Sequence, residues 1–284
     1  MVGPVDTNFH VVAPPSQRRR YPLDPLPGTA AEFAEDQSTT ARECLDLMDS
    51  AGVAQAYLIA SRFHGFDNSY CADSAAQHPT RFVAIANVDI LAPEAPDRVD
   101  HWIGARGMHG VRFWGGGRGT ASWIDDAALR PAWERVRAYG VPANAQTTTP
   151  EAFAPTRRFL ERFGDVPLTV NHLGHVPVAA GGASPALAEL LSLAEFPEVR
   201  VNFPVELAVA VTRGERPARD VLDALLARFG PRRLMWSAFY PSRQDRPYAE
   251  SVRLLREALA FLPTPDRDWI LGGTARDLYP VLRR

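Results

Sequence analysis

The chain has 284 residues, 46% of them hydrophobic and 10% aromatic, which is enough apolar mass for one sizeable core. Lys and Arg number 31 against 33 Asp and Glu, a net charge of −2, which excludes both a basic nucleic-acid footprint and an acidic tail. No run of about eighteen apolar residues is present to span a bilayer. The opening MVGPVDTNFH lacks the basic start and apolar stretch of a secretory signal, and Cys44 and Cys71 form no CxxC pair, so the expectation is a soluble cytoplasmic protein with two buried free thiols.

In chain order, short apolar runs alternate with longer segments of helical pattern. Strands are expected at Val2–Phe9, Ala54–Ala60, Phe82–Val88, Gly110–Trp114, Val141–Ala145, Leu168–Asn171, Val199–Phe203 and Leu234–Trp236. Several are near-continuous in β-branched or apolar residues, the pattern of strands covered on both faces. After the first strand, Pro14 to Gly28 is rich in Pro and Arg. It reads as a long loop, either a lid or a passive ordered segment, and Arg18-Arg19-Arg20 within it as a solvated run or an anion-attracting gate.

Thr40 to Ser50 carries Ala41, Leu45 and Met48 at helical spacing and stops at Gly52, suited to a left-handed cap. Thr149-Pro150 and Ser184-Pro185 each place a capping residue before a first-turn proline. Arg157 to Phe163 ends at Gly164, Pro217 to Phe229 at Gly230, and Tyr248 to Leu262 at Pro263. Strand alternating with helix means a parallel sheet. Eight strands fit a closed barrel better than an open sheet. The expected fold is α/β, a (β/α)8 TIM barrel, as one domain over residues 1–284 without internal repeats.

In such a barrel the chemistry sits where strands end. Those ends read Asp6-Thr7-Asn8-Phe9-His10, Ser61-Arg62-Phe63-His64, Asn87-Val88-Asp89, Gly110-Val111-Arg112-Phe113-Trp114, Asn144-Ala145-Gln146, Asn171-His172-Leu173-Gly174-His175, Asn202-Phe203 and Met235-Trp236-Ser237-Ala238-Phe239-Tyr240-Pro241. The phrases resemble the amidohydrolase-related family, which holds 2-pyrone-4,6-dicarboxylate lactonases and decarboxylases of small aromatic and enol acids. DTNFH is similar to that family's D-x-H-x-H, and GVRF to its fourth-strand motif. VNHLGH resembles the HLGH phrase, MWSAFYP the M-W-G-S-D-Y-P phrase, and ILGGTARDLYP the closing I-L-G-G-N-A-x-x-L-Y, with Thr274 where Asn is usual. The resemblance covers nearly the whole chain.

The departures carry information. Metal-dependent members of that family use two first-strand His, one His each from the fifth and sixth strands, and an eighth-strand Asp. Position by position, these become Asn8, His10, Gln146, His172 and Phe239. Asn and Gln are weak carbonyl donors and Phe donates nothing, whereas a catalytic zinc takes three good protein ligands. The resemblance therefore implies no tightly held metal and no cofactor, unless Asp6, Asp89 or Glu206 were rearranged into the site. The missing Asp is also the family's base for the attacking water, so hydrolysis loses activator and base together.

The retained His10 and His172 are the expected catalytic acid/base pair, tuned near neutral pH. Arg112 is the expected anion-binding residue, because an inward Arg is costly to bury unless paired and suits a carboxylate bidentately. A structural ion pair with Asp6 or Asp89 is its alternative. Asn8, Trp114, Gln146, Asn202, Phe239 and Tyr240 are expected to contact substrate, with Phe203, Phe63 and Phe66 adding to an aromatic mouth; ordinary core is the alternative for these aromatics, least so for Phe239. His64 reads as pocket-lining or solvent-exposed. His175 reads as structural, as the HLGH phrase implies, and His78, His101 and His109 as structural or exposed. Arg62 and Arg243 are weaker anion-binding candidates, with a surface place the favoured reading, and Gly115-Gly116-Gly117 reads as a loop without P-loop spacing.

Three functions stay open. The first is a metal-independent lyase, isomerase or cyclase acting on a small cyclic, aromatic or polyketide-like acid. The second is a metal-independent lactone or ester hydrolase, and the third a non-catalytic ligand-binding barrel. The expected partner is a small molecule with a carboxylate or another anionic oxygen, with no nucleic acid and no membrane. A homo-oligomer is compatible with the sequence.

Overall fold

The computed structural model describes residues 3–26, 37–114, 124–145, 150–240 and 246–283. Its sheet has eight parallel strands in sequential order: β1 (Val5–Phe9), β2 (Gln55–Ile59), β3 (Phe82–Asp89), β4 (Gly110–Trp114), β5 (Ala143–Ala145), β6 (Leu168–Val170), β7 (Val199–Pro204) and β8 (Leu234–Ser237). The expected (β/α)8 barrel forms, and each expected strand forms within it. Two start late for a covalent reason: Pro4 and Pro142 have no N–H to give the ladder, so they only accept, from Ala54 at 2.9 Å and Val111 at 3.1 Å.

Helices return the chain between strands. The first is α1 (Ala41–Ala51), whose start is a capping box between Thr40 and Glu43 and whose end is Gly52 at φ 64°. Along the chain follow α2 (Ser69–Gln77), α3 (Ala95–Val99), α4 (Arg130–Tyr139), α5 (Phe153–Phe163), α6 (Pro185–Ser192), α7 (Val205–Thr212), α8 (Arg216–Phe229), α9 (Tyr248–Ala258), α10 (Thr264–Asp268) and α11 (Thr274–Leu278). Ser184 caps α6 as expected, its hydroxyl accepting from Leu187 N–H ahead of Pro185. None of the described helices is long and apolar enough to cross a membrane.

Strand alternation divides the core in two. Ala56, Leu58, Val111, Phe113, Val201 and Trp236 face the helices. Inside the barrel, Val5, Tyr57, Ile59, Val83, Ile85 and Met235 fill the amino end, and α11 and the segment after it close that end with Ala275, Leu278, Tyr279 and Leu282. Tyr57 Oη donates to Ala275 O at 2.8 Å and Gln55 Nε2 to Leu282 O at 2.7 Å. With the amino end plugged by apolar side chains, polar groups inside the barrel collect toward the carboxyl ends of the strands.

The ring closes between β8 and β1 mainly through side chains. Thr7 Oγ1 donates to Trp236 O at 2.6 Å, and Ala238 N–H donates to both carboxylate oxygens of Asp6 at 3.2–3.3 Å. A single bridge pairs Phe9 with Tyr240 among the described residues, and His10 N–H donates to Tyr240 O at 2.9 Å.

Candidate active site

The first strand is irregular where it matters. Its register with β2 runs from Asp6 opposite Ala56 to Phe9 opposite Leu58, three steps against two, which is a β-bulge. Simple alternation would set Asp6, Asn8 and His10 on one face. Instead Asp6 and Phe9 turn outward to α9, where Tyr248 Oη donates to Asp6 at 3.1 Å and the Tyr248 ring lies 5.3 Å from Phe9. Thr7 and Asn8 both turn inward, to Asn202 and His172. Asp6 is therefore neither a partner for Arg112 nor a stray ligand. Its carboxylate accepts from Asn8 N–H, Ala238 N–H and Tyr248, and burial opposing those bonds lifts its pKa to about 7.

His10 ends the bulged segment. Its Nδ1 lies 2.9 Å from Ile59 O, so Nδ1 carries the proton and Nε2 keeps its lone pair. Burial first, then the Arg112 charge, hold its pKa down to about 3. This corrects the expectation of a near-neutral pKa for His10, which rests neutral and is suited to act as an acceptor or base.

His172 sits on an unusual turn. After β6, His172, Leu173, Gly174 and His175 all have positive φ, between 51° and 60°, a single turn of left-handed 3-10 helix. Each non-glycine residue there costs on the order of 1–2 kcal/mol, a strain of the kind that concentrates at functional sites. Asn8 Nδ2 donates to His172 Nε2 at 3.1 Å, which makes that nitrogen the acceptor. Phe239, also left-handed at φ 56°, lays its ring 4.4 Å from the His172 ring and 6.0 Å from that of His10. His10, His172, Asn8 and Phe239 thus form one cluster, as the sequence led us to expect. His175, read as structural, is instead exposed, and its ring stands 5.9 Å from the His172 ring, on the solvent side of the same turn.

Across the barrel, Arg112 is buried in a row of inward-facing positions that are register neighbours: Asn87, Arg112, Asn144 and Thr169. Its guanidinium carbon lies 5.3 Å from the Trp114 ring, and Trp114 Nε1 donates to Asn87 Oδ1 at 3.2 Å. Burial, then Arg62, lower the Arg112 pKa to about 9. Arg62 is half-buried and also acts on His10, so its sequence reading as a surface residue is corrected. Its place three positions past the end of β2 is the signal behind its weaker reading as an anion-binding residue.

Other expected residues stand elsewhere. Asn202 is fully buried in the floor, its amide donating to Thr7 Oγ1 and its carbonyl accepting from Ser237 at 3.0 Å. Tyr240 turns outward against Phe9 at 5.5 Å and Tyr248 at 6.3 Å, because the residue after an inward Phe239 faces the helices. Phe203 is in the helix-facing core for the same reason. His64 is a buried clamp: Nδ1 donates to Pro22 O at 2.8 Å, and Nε2 accepts from Ala13 N–H at 3.1 Å. With Asp24 and Leu26 N–H donating to Phe63 O and Arg62 O, that clamp ties the segment after β1 to the turn after β2. Gln146, Gly115-Gly116-Gly117 and Arg243 lie outside the described residues.

Among the described residues, the donor set does not fit a divalent metal. His172 Nε2 is already engaged by Asn8, an aromatic ring occupies the carboxylate position, and among the described residues no group of three or more His, Cys, Asp or Glu side chains is placed to hold an ion.

Comparison with known proteins agrees with the fold. The family model for amidohydrolases matches residues 5–281. An L-fucono-1,5-lactonase from Burkholderia ambifaria is 25% identical over 249 residues, 84% of this chain and 83% of that protein. Among solved structures, a probable 2-pyrone-4,6-dicarboxylic acid hydrolase from Acinetobacter baumannii with citric acid bound superposes with TM-score 0.76 at 16% identity, covering 98% of this chain and 99% of the other. A dihydroxybenzoic acid decarboxylase from a Polaromonas species, with bound manganese and an inhibitor, does so with TM-score 0.71 at 16% identity, covering 100% and 98%.

Proposed function

This chain belongs to the amidohydrolase family, and we propose that it is an enzyme acting on a small cyclic or aromatic acid without a divalent metal, by a non-hydrolytic proton-transfer reaction of the lyase, isomerase or cyclase type. The observation that carries this reading is the positive field at the ends of β2 and β4. There the buried Arg112 lowers His10, and Arg62 lowers both. A substrate carboxylate or enolate relieves that field.

In this reading Arg112 holds the anionic group and the Trp114 face lies alongside it. His10 Nε2 accepts a proton from a substrate C–H or O–H. The released electron pair moves onto a conjugated oxygen, which the nearby positive charge stabilises. His172 exchanges the proton at the opposite side, and Phe239 supplies an apolar wall where hydrolytic relatives keep an acid for water activation.

Lactone hydrolysis is the second reading, favoured by the L-fucono-1,5-lactonase similarity. Elemental analysis and turnover of a panel of small cyclic acids and lactones test the proposal. Activity that survives chelation, in protein holding well under one metal per chain, supports it. So does a loss of about 100-fold or more in kcat/KM for Arg112→Ala and His172→Ala. Stoichiometric zinc, manganese or iron whose removal abolishes turnover overturns the metal-free chemistry. Incorporation of labelled solvent oxygen into product favours the hydrolase.

A further inference from the structure

Among the described residues, the unsatisfied hydrogen-bonding capacity toward the carboxyl ends of the strands divides by sign, with Asn171 Nδ2 after β6 a further bare donor. On the β1 side the bare groups are acceptors. Asn8 is fully buried, its Nδ2 is given to His172, and its Oδ1 has no hydrogen-bond partner. His10 Nε2, on the ring edge away from Ile59, has a lone pair and no proton. On the β4–β5 side the groups are donors. Asn144 is the register neighbour of Arg112, it faces the same way in the barrel wall, and its buried Nδ2 has no acceptor. Native proteins leave few buried polar atoms without partners, and each one left needs a physical explanation, such as a catalytic role or a bound species that completes it.

A plain dicarboxylate would serve the donor side and leave the acceptors facing its lone pairs. A ligand with a hydroxyl serves both, because the hydroxyl has a proton to give. We infer that the site selects a hydroxy acid: its carboxylate is taken by Arg112 with Asn144 Nδ2–H, and its hydroxyl donates to Asn8 Oδ1, beside His10 Nε2. The inference rests on the anion-binding reading of Arg112 and adds the chemical class of the other end. It gives Asn8, at a position where the family's metal-dependent members hold a metal, the role of reading a substrate proton.

Calorimetric titration of the whole protein with three five-carbon diacids tests it: 2-hydroxyglutarate, glutarate and 2-oxoglutarate, which differ only at one carbon. The expected result is 2-hydroxyglutarate binding at least about tenfold more tightly than either of the others, or about 1.4 kcal/mol. In Asn8→Leu, or in Asn8→Ala should the leucine variant not fold, the three affinities converge. In Arg112→Ala all three weaken together. Equal affinities in the unaltered protein overturn the hydroxyl assignment alone, and mean that Asn8 Oδ1 binds water. Tighter binding of 2-oxoglutarate overturns it by showing that the Asn8 amide presents its N–H to the ligand. No binding of any of the three overturns the anion site and the hydroxyl assignment together.

Discussion

Burial and the Arg112 charge keep His10 neutral to about pH 3, so a pH profile of kcat/KM carries no His10 limb between pH 5 and 8. His10→Gln should lower the profile by about 100-fold while leaving its shape unchanged. A limb that vanishes with His10→Gln would show that the ring titrates in this window after all. The ionisation state of His10 was not legible in the sequence, because it depends on burial and on Arg112 and Arg62, which arrive from β4 and from the turn after β2. The identity of the cluster was legible: Asn8, His10, His172 and Phe239 do converge, since each stands at a strand end and the barrel gathers those ends. Tyr240 was misplaced, and Phe203 took its alternative reading as core, for the opposite reason. A motif names adjacent residues, while strand alternation sends only every second one inward.

The strands themselves were legible as elements, because apolar runs between capped helices are a local property. Thr40→Ala should cost α1 about 1 kcal/mol, measured as a lower unfolding midpoint. The bulge in β1 was not legible, since it is a count of Thr7 and Asn8 against β2 and no single strand contains it. Gly110, at the start of the fourth-strand GVRF phrase, is a case where the motif has a steric cause. A methyl group there would sit 2.5 Å from Tyr279 Oη and 2.9 Å from Pro142 O. Gly110→Ala should therefore destabilise the fold by roughly 2–3 kcal/mol in denaturant unfolding. Adding Tyr279→Phe should recover part of that loss by removing the nearer atom, and no recovery would place the conflict at Pro142.

At the scale of the whole molecule, two buried groups set opposing responses to pH. Asp6 has a pKa of about 7 in the folded chain against 3.8 in the unfolded one, so its contribution is complete below pH 4 and is lost as pH rises toward 7. His10 has a pKa of about 3 against 6.5, so its contribution is complete above pH 6.5 and is lost as pH falls toward 3. Between about pH 4 and 6.5 the slopes, each about 1.4 kcal/mol per unit, cancel. Asp6→Asn unmasks the histidine and should make the protein less stable on acidification. His10→Gln unmasks the carboxyl and should make it more stable over the same range. Urea unfolding at pH 4.5 and 6.5 reads both signs, and two variants sloping the same way would contradict the assignment.

Side chains, where a ladder would otherwise run, secure β1 to β8, and this gives the barrel a preferred line of opening. On one side β1 is laced to β2. On the other it hangs on Asp6, Thr7 and one backbone bridge among the described residues. When that line parts, Asn8 and His10 leave with β1, while Arg112 and Asn144 stay on the β4–β5 wall. A molecule gripped at both ends would then work as a staple across the gap. Amide exchange along β1 should slow when such a molecule binds, and slow far more than exchange along β5, which the opening leaves in place.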